Sequence, residues 1–152
     1  MKQPRNTFGD FVCLACHQFV SAEIALSGVQ NRNHCPYCLA SRHLDLFEAG
    51  DRLAACKAGM RAVALTVKKT HKKYASCRQG EMMLVHLCED CGRISINRIA
   101  ADDDPESVLE VFERSRRLER QVRLMLNQSG VEILEAGEQF LVREQLMGRG
   151  WV

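Results

Sequence analysis

An α+β fold is predicted by three features of this 152-residue chain. Two Cys-x-x-Cys pairs, Cys13/Cys16 and Cys35/Cys38, are separated by 18 residues, and a third pair, Cys88/Cys91, follows. Short apolar and β-branched runs lead into and out of these pairs, as strands do. Beyond residue 102 the apolar spacing changes to threes and fours, which is helical. The spacing C-x2-C-x18-C-x2-C is that of a four-thiolate metal site, with zinc the favoured ion. Each tight turn points two sulfurs at one centre, and two turns supply the corners of a tetrahedron. The expected architecture is a small zinc-ribbon-like domain of two strand-knuckle-strand units over residues 8–100. A helical C-terminal tail of two helices, 104–150, packs on it.

The elements follow in order. Phe11-Val12 leads into the first knuckle and Phe19-Val20 leads out. Residues 21–34 connect to the second knuckle, with Gly28, Asn31 and Asn33 as turn signals. Residues 43–47 and a turn at 49–51 come next. Residues 60–67 are β-branched enough for a strand, 68–80 form a polar, basic connection, and 82–87 run as a strand into Cys88. Gly92 suits a knuckle that exits with positive φ. Residues 93–99 alternate, with Ile94, Ile96 and Ile99 as inward candidates. The two units share form rather than sequence. Asp104 is the expected N-cap of a helix over 105–127, with Pro105 at its first position. Val108, Val111, Phe112, Ser115, Leu118, Val122 and Met125 would share one apolar face, and Gly130 would stop the helix. Residues 131–134 read as extended, and a last helix is expected over 136–147, with a β-hairpin across 131–142 as the alternative.

Cys88 and Cys91 need two further ligands, drawn from Cys56, Cys77 and His86. His86 lies two residues before Cys88, on the same face of the incoming strand. The favoured set is Cys56, His86, Cys88 and Cys91. Four cysteines, 56, 77, 88 and 91, form the second arrangement, and pairing of Cys13/Cys16 with Cys88/Cys91 a third. His17, His34, His43 and His71 stay unassigned. Two zinc ions are therefore expected. Large apolar residues are sparse before residue 100, and structural zinc contributes ~10–16 kcal/mol in small peptides. The whole net stability of a domain is ~5–15 kcal/mol. The metals are expected to act as this region's core.

The run Arg32-Asn33-His34-Cys35-Pro36 resembles the signature of the bacterial RNHCP-domain family. The likeness extends through Cys38, His43-Leu-Asp45, Gly50-Asp51-Arg52, Cys56, Met60 and residues 79–104, about 8–112 in all. The stretch His86-Leu-Cys88-Glu-Asp-Cys91-Gly92 followed by Ser95-Ile-Asn97-Arg98-Ile-Ala100 carries it most closely. The resemblance implies a metal-binding domain and supports the His86 option. It leaves Cys77 as a departure and implies no activity.

Residues 1–100 carry 14 Lys and Arg against 8 Asp and Glu, and residues 101–152 carry 7 against 11. Thiolate-bound metal would leave the first hundred residues at about +3, a modest bias toward anionic partners. The leading expectation is a non-enzymatic module that binds RNA or the ribosome. Its phosphate contacts would be Lys68, Lys69, Lys72, Lys73, Arg32, Arg42, Arg93 and Arg98, with Tyr37, Tyr74 or His71 to stack on bases. A protein-interaction adaptor using the apolar face of helix 105–127 is the alternative. A metal-dependent nuclease of the His-metal-finger type, drawing on His34, is less favoured, because the Asp-His and Lys sets of such enzymes are absent. No apolar run approaches the ~20 residues of a membrane span, and the N-terminus lacks a signal-peptide stretch. Reducing cytosol is the expected compartment, where cysteines serve metals rather than disulfides.

Overall fold

A computed structural model describes residues 10–29, 32–43, 56, 58–68 and 81–147. A two-stranded antiparallel ribbon, β1 (Phe11–Val12) and β2 (Phe19–Val20), opens the fold. A short helix α1 (Ile24–Ser27) follows and ends at Gly28, φ 72°. The main sheet runs in the order β3 (Ser41–Arg42), β4 (Gly59–Lys68), β5 (Glu81–Cys88) and β6 (Ile94–Arg98), antiparallel throughout. Helices α2 (Pro105–Ser115), α3 (Arg120–Gln128) and α4 (Gln139–Met147) complete it, with a 3-10 turn at Ala136–Glu138 before α4.

Strand β5 is buried on both faces from Met82 to Cys88. One face carries Met82 and Leu84 and packs with Leu39, Leu65, Val108, Phe112 and Val142 under α2 and α4. The other carries Val85 and Leu87 and packs with Val63, Ala64, Val122 and Leu126 under α3. A β-bulge between Ala62 and Ala64 resets the alternation of β4. Ala62 and Leu65 thereby reach the first face while Val63 and Ala64 serve the second, a parity change that one extra residue produces.

The single helix expected over 105–127 is two helices, separated by 116–119. Its apolar stripe is divided accordingly. Val108, Val111 and Phe112 enter the first core, and Leu118, Val122 and Met125 the second. The break lets the chain pass from one face of the sheet to the other. Arg123 donates from Nη2 to the Ser115 and Arg116 carbonyls at 3.1 and 3.4 Å, so carbonyls freed at the break keep partners. Both halves of the stripe offered to a protein partner thus face inward. Asp104 and Pro105 stand at the N-cap and first turn of α2 as expected. Gly130 adopts φ 73° beyond α3, where the Val131 N–H reaches the Leu126 carbonyl. Residues 131–134 are extended: Ile133 bridges Thr66, and the Leu134 N–H donates to the Leu65 carbonyl at 2.8 Å. Ile94 is partly buried as expected, whereas Ile96 is 42% exposed, because the edge strand β6 runs past the helical cover.

Candidate metal centres

Three knuckles share one backbone geometry. The residue after each second cysteine has positive φ: His17 (64°), Leu39 (64°) and Gly92 (76°). Their N–H groups donate to the carbonyls of Cys13, Cys35 and Cys88 at 2.9, 2.9 and 3.1 Å. The N–H groups of Cys13, Cys35 and Cys88 in turn donate to Gln18, Ala40 and Arg93. The left-handed residue reverses the chain tightly enough for both sulfurs to point inward, at a cost of ~1–2 kcal/mol where the residue is not glycine. Leu39 offsets that cost by full burial in the first core.

The sulfurs of Cys13, Cys16, Cys35 and Cys38 lie within 4.8 Å of one another, as the spacing predicts. Cys13 Sγ is 3.6 Å from Cys38 Sγ, and Cys16 Sγ is 3.5 Å from Cys35 Sγ. Metal–sulfur bonds of ~2.3 Å give a tetrahedral edge of about 3.8 Å, so the four sulfurs frame a metal-sized void. The electrostatics agree. Burial first, and the neighbouring thiolates after it, push Cys35 up to about 11 and raise Cys38 as well. Burial opposes ionisation of Cys13 too, yet the N–H groups of Cys16 and Ala15 hold it below its usual value. Four thiolates this close need a cation to coexist.

The second cluster is His43, Cys56, Cys88 and Cys91. Cys56 Sγ is 3.6 Å from Cys88 Sγ, and Cys91 Sγ is 3.4 Å from His43 Nδ1. A sulfur–nitrogen edge in such a tetrahedron is about 3.6 Å. Burial opposes the Cys88 thiolate, but the N–H groups of Cys91 and Asp90 bring it down to about 6. The N–H of Ala58 favours the Cys56 thiolate, yet partial burial and the Cys88 and Cys91 thiols leave it raised. His43 Nε2 is the one buried side-chain nitrogen or oxygen among the described residues without a hydrogen-bond partner. A ring with Nδ1 turned to a metal leaves that nitrogen protonated.

The structure therefore corrects His86 to His43 as the imidazole of this cluster. His86 does share a strand face with Cys88, but both its ring nitrogens are engaged elsewhere. Nε2–H donates to the Leu39 carbonyl at 2.7 Å, and Nδ1 accepts from Asn97 Nδ2 at 2.8 Å. Burial, and then positive charge on His34, lower its pKa to about 4. His86 is a neutral core residue. The signal for His43 was its place at the end of β3, whose pairing to β4 and whose N–H bond to the Ala58 carbonyl bring it beside Cys56. Cys77 lies outside the described residues.

Two residues of the Arg32–Pro36 run are similarly internal. Arg32 donates from Nε to the His34 carbonyl at 2.9 Å, and its Nη1 and Nη2 pair with Asp102 and Asp103 at 2.7 and 3.0 Å. His34 Nε2 meets Asp103 Oδ2 at 2.7 Å, and the same oxygen accepts from the Ala100 N–H. The Pro36 carbonyl accepts from the Asp104 N–H at 3.0 Å. The run clasps the second knuckle to the start of α2. This corrects Arg32 as a phosphate contact, since its side chain is fully buried, and His34 is buried beside it against Asp103.

The other basic residues are divided. Arg42 and Arg61, the latter missed in the sequence, line one cleft at the knuckle end of the sheet, and Arg93 stands opposite Cys88 just before β6. Lys68 lies about 23 Å further along β4. Its cross-strand neighbour Glu81 holds Arg98 Nε at 2.7 Å. Tyr37 is exposed. Lys69, His71, Lys72, Lys73 and Tyr74 lie outside the described residues.

An antiparallel sheet clothed by helices, with paired four-residue Cys/His clusters at one end, defines an α+β protein built for two metal ions. The sequence model of the RNHCP domain matches residues 8–109, and the chain belongs to that family. No curated protein and no solved structure matches it. No helix among the described residues is long and apolar enough to cross a membrane.

Proposed function

We propose that this protein is a non-enzymatic, structural-zinc module that binds RNA, on the ribosome or free. Three or four thiolates per cluster favour zinc, and four protein ligands at each leave no position for a reacting water. The clusters would then order the surface rather than act on a substrate. The observation that carries the RNA reading is that Arg42 and Arg61 line one cleft at the knuckle end of the sheet. Guanidinium groups on a rigid rim suit phosphates, because their planar fork gives paired hydrogen bonds. Asp102 and Asp103 are spent on the internal clasp with Arg32.

Sedimentation of the tagged chain from native lysate, with and without RNase, tests this reading. Migration with ribosomal or RNA-sized particles that RNase abolishes is the expected result. Recovery only in light fractions under both conditions would sink it. Elemental analysis should find two zinc ions per chain.

A further inference from the structure

Resting on that reading, we infer that the cleft between the first knuckle and β3–β4 is the seat of one nucleotide of a single-stranded RNA. The cleft has a volume of about 270 Å³ and lies against both clusters, with Cys13 and Cys38 in one wall and Glu89 of the third knuckle in the other. Its size is just under the ~300–1,000 Å³ of most small-molecule sites, so it takes one nucleotide-sized group and excludes a duplex. Phe11, Leu14 and Met60 give it an apolar wall, and Arg42 and Arg61 give it two guanidinium groups. Glu89 is its only carboxylate among the described residues, so the side chains outside the cluster ligands lean positive, while the thiolates of Cys13 and Cys38 are neutralised in part by the metal they would hold.

This division matches an unpaired nucleotide. A base face needs apolar surface, and the phosphate beside it needs cations. Arg61 is exposed and pairs with no carboxylate among the described residues. Leu14 is 51% exposed at the knuckle tip, where an apolar side chain gains nothing from the fold and is open to a stacked base. Glu89 supplies an acceptor for a base amine or a sugar hydroxyl. The flanking backbone fixes the shape: the Glu89 N–H donates to the Gly59 carbonyl at 3.1 Å, so the third knuckle is tied to the start of β4. Zinc at both clusters would hold the two walls at a fixed separation.

Fluorescence anisotropy of the zinc-loaded full chain with a labelled mixed-sequence single-stranded RNA provides the test. Arg61→Gln should weaken binding about tenfold and lower the salt slope by about 0.7, the signature of one lost phosphate contact. Leu14→Ala should weaken it with the salt slope unchanged. Arg117→Gln, exposed in the break between α2 and α3, should change neither. Two bound zinc ions in each variant exclude misfolding as the cause. Full RNA affinity in both Arg61→Gln and Leu14→Ala would overturn the cleft while leaving the RNA module intact. No RNA binding by the native chain would overturn both. Binding of an acidic peptide but not RNA, lost in Arg61→Gln, would overturn the nucleotide and assign the cleft to an acidic protein.

Discussion

His43 belongs to the second cluster and His86 lies two residues before its Cys88, and their hydrogen bonds separate their roles. His43 turns Nδ1 to Cys91, whereas His86 has given both nitrogens to Leu39 and Asn97. Elemental analysis of purified variants should find one zinc ion in His43→Ala and two in His86→Gln; the reverse result would restore His86 as the ligand. The neutral state of His86 also has a pH signature. The unfolded ring takes up a proton below about 6.5, the folded one only below about 4. Its contribution is therefore complete above pH 6.5 and is lost as the pH falls toward 4, on the order of 3 kcal/mol in all. Urea unfolding in excess zinc at pH 7.5 and pH 5 should show the native chain losing about 2 kcal/mol more than His86→Gln. Equal losses would place the titration elsewhere. Spacing alone identified the first cluster, because all four ligands lie in two local turns. For the second it found Cys56, Cys88 and Cys91 but not the imidazole, because His43 arrives through strand pairing, which no local pattern encodes.

Knuckles, helices and the clasp between them set the next scale. Gly92 is the one left-handed knuckle exit without a side chain, and a Cβ there would lie 3.4 Å from Met125 Cε. Gly92→Ala should cost about 1–2 kcal/mol through φ alone, since the neighbouring methyl is the movable end of a side chain. Thermal unfolding of the zinc-loaded protein reads that loss. The buried clasp is more demanding. Removing one partner strands a charge at a cost of ~3–5 kcal/mol. Asp103 receives Arg32, His34 and the Ala100 N–H, so Asp103→Ala should fall at the upper end. The exposed pair Arg116–Glu113, by contrast, should change stability by less than ~1 kcal/mol when cut by Glu113→Gln. Strands β1, β2, β4, β5 and β6 were legible in the sequence because β-branched and apolar runs between turn residues are local signals, whereas the two-residue β3 was not. The helix break at 116–119 was not, because an unbroken apolar stripe fits one long helix equally well. Only the two-sided sheet decides that its halves go to opposite faces.

At the scale of the molecule, the cluster-bearing segment and the helices share one strand. Strand β5 depends on both. Its carboxyl end supplies Cys88 to a cluster, and its length is covered by α2 and α4 on one face and α3 on the other. A chain cut after residue 104 keeps every cluster ligand and the sheet. It loses Val108, Val111, Phe112, Val122, Leu126 and Val142, each almost fully buried. Each such side chain contributes ~1.5–3 kcal/mol of apolar burial, and the surfaces they cover would be exposed as well. The six together come to about 9–18 kcal/mol, as large as the ~5–15 kcal/mol net stability of a whole domain. Metal bound at one end of the sheet would not restore it, because its contribution would be local to the knuckles. The 1–104 fragment should therefore bind zinc in its knuckles yet expose the sheet. Dye binding and broad amide NMR signals from β4 and β5, alongside retained metal, would show this. A well-dispersed spectrum with two zinc ions would mean that the metal-bound part folds alone and that the helices are an appendage.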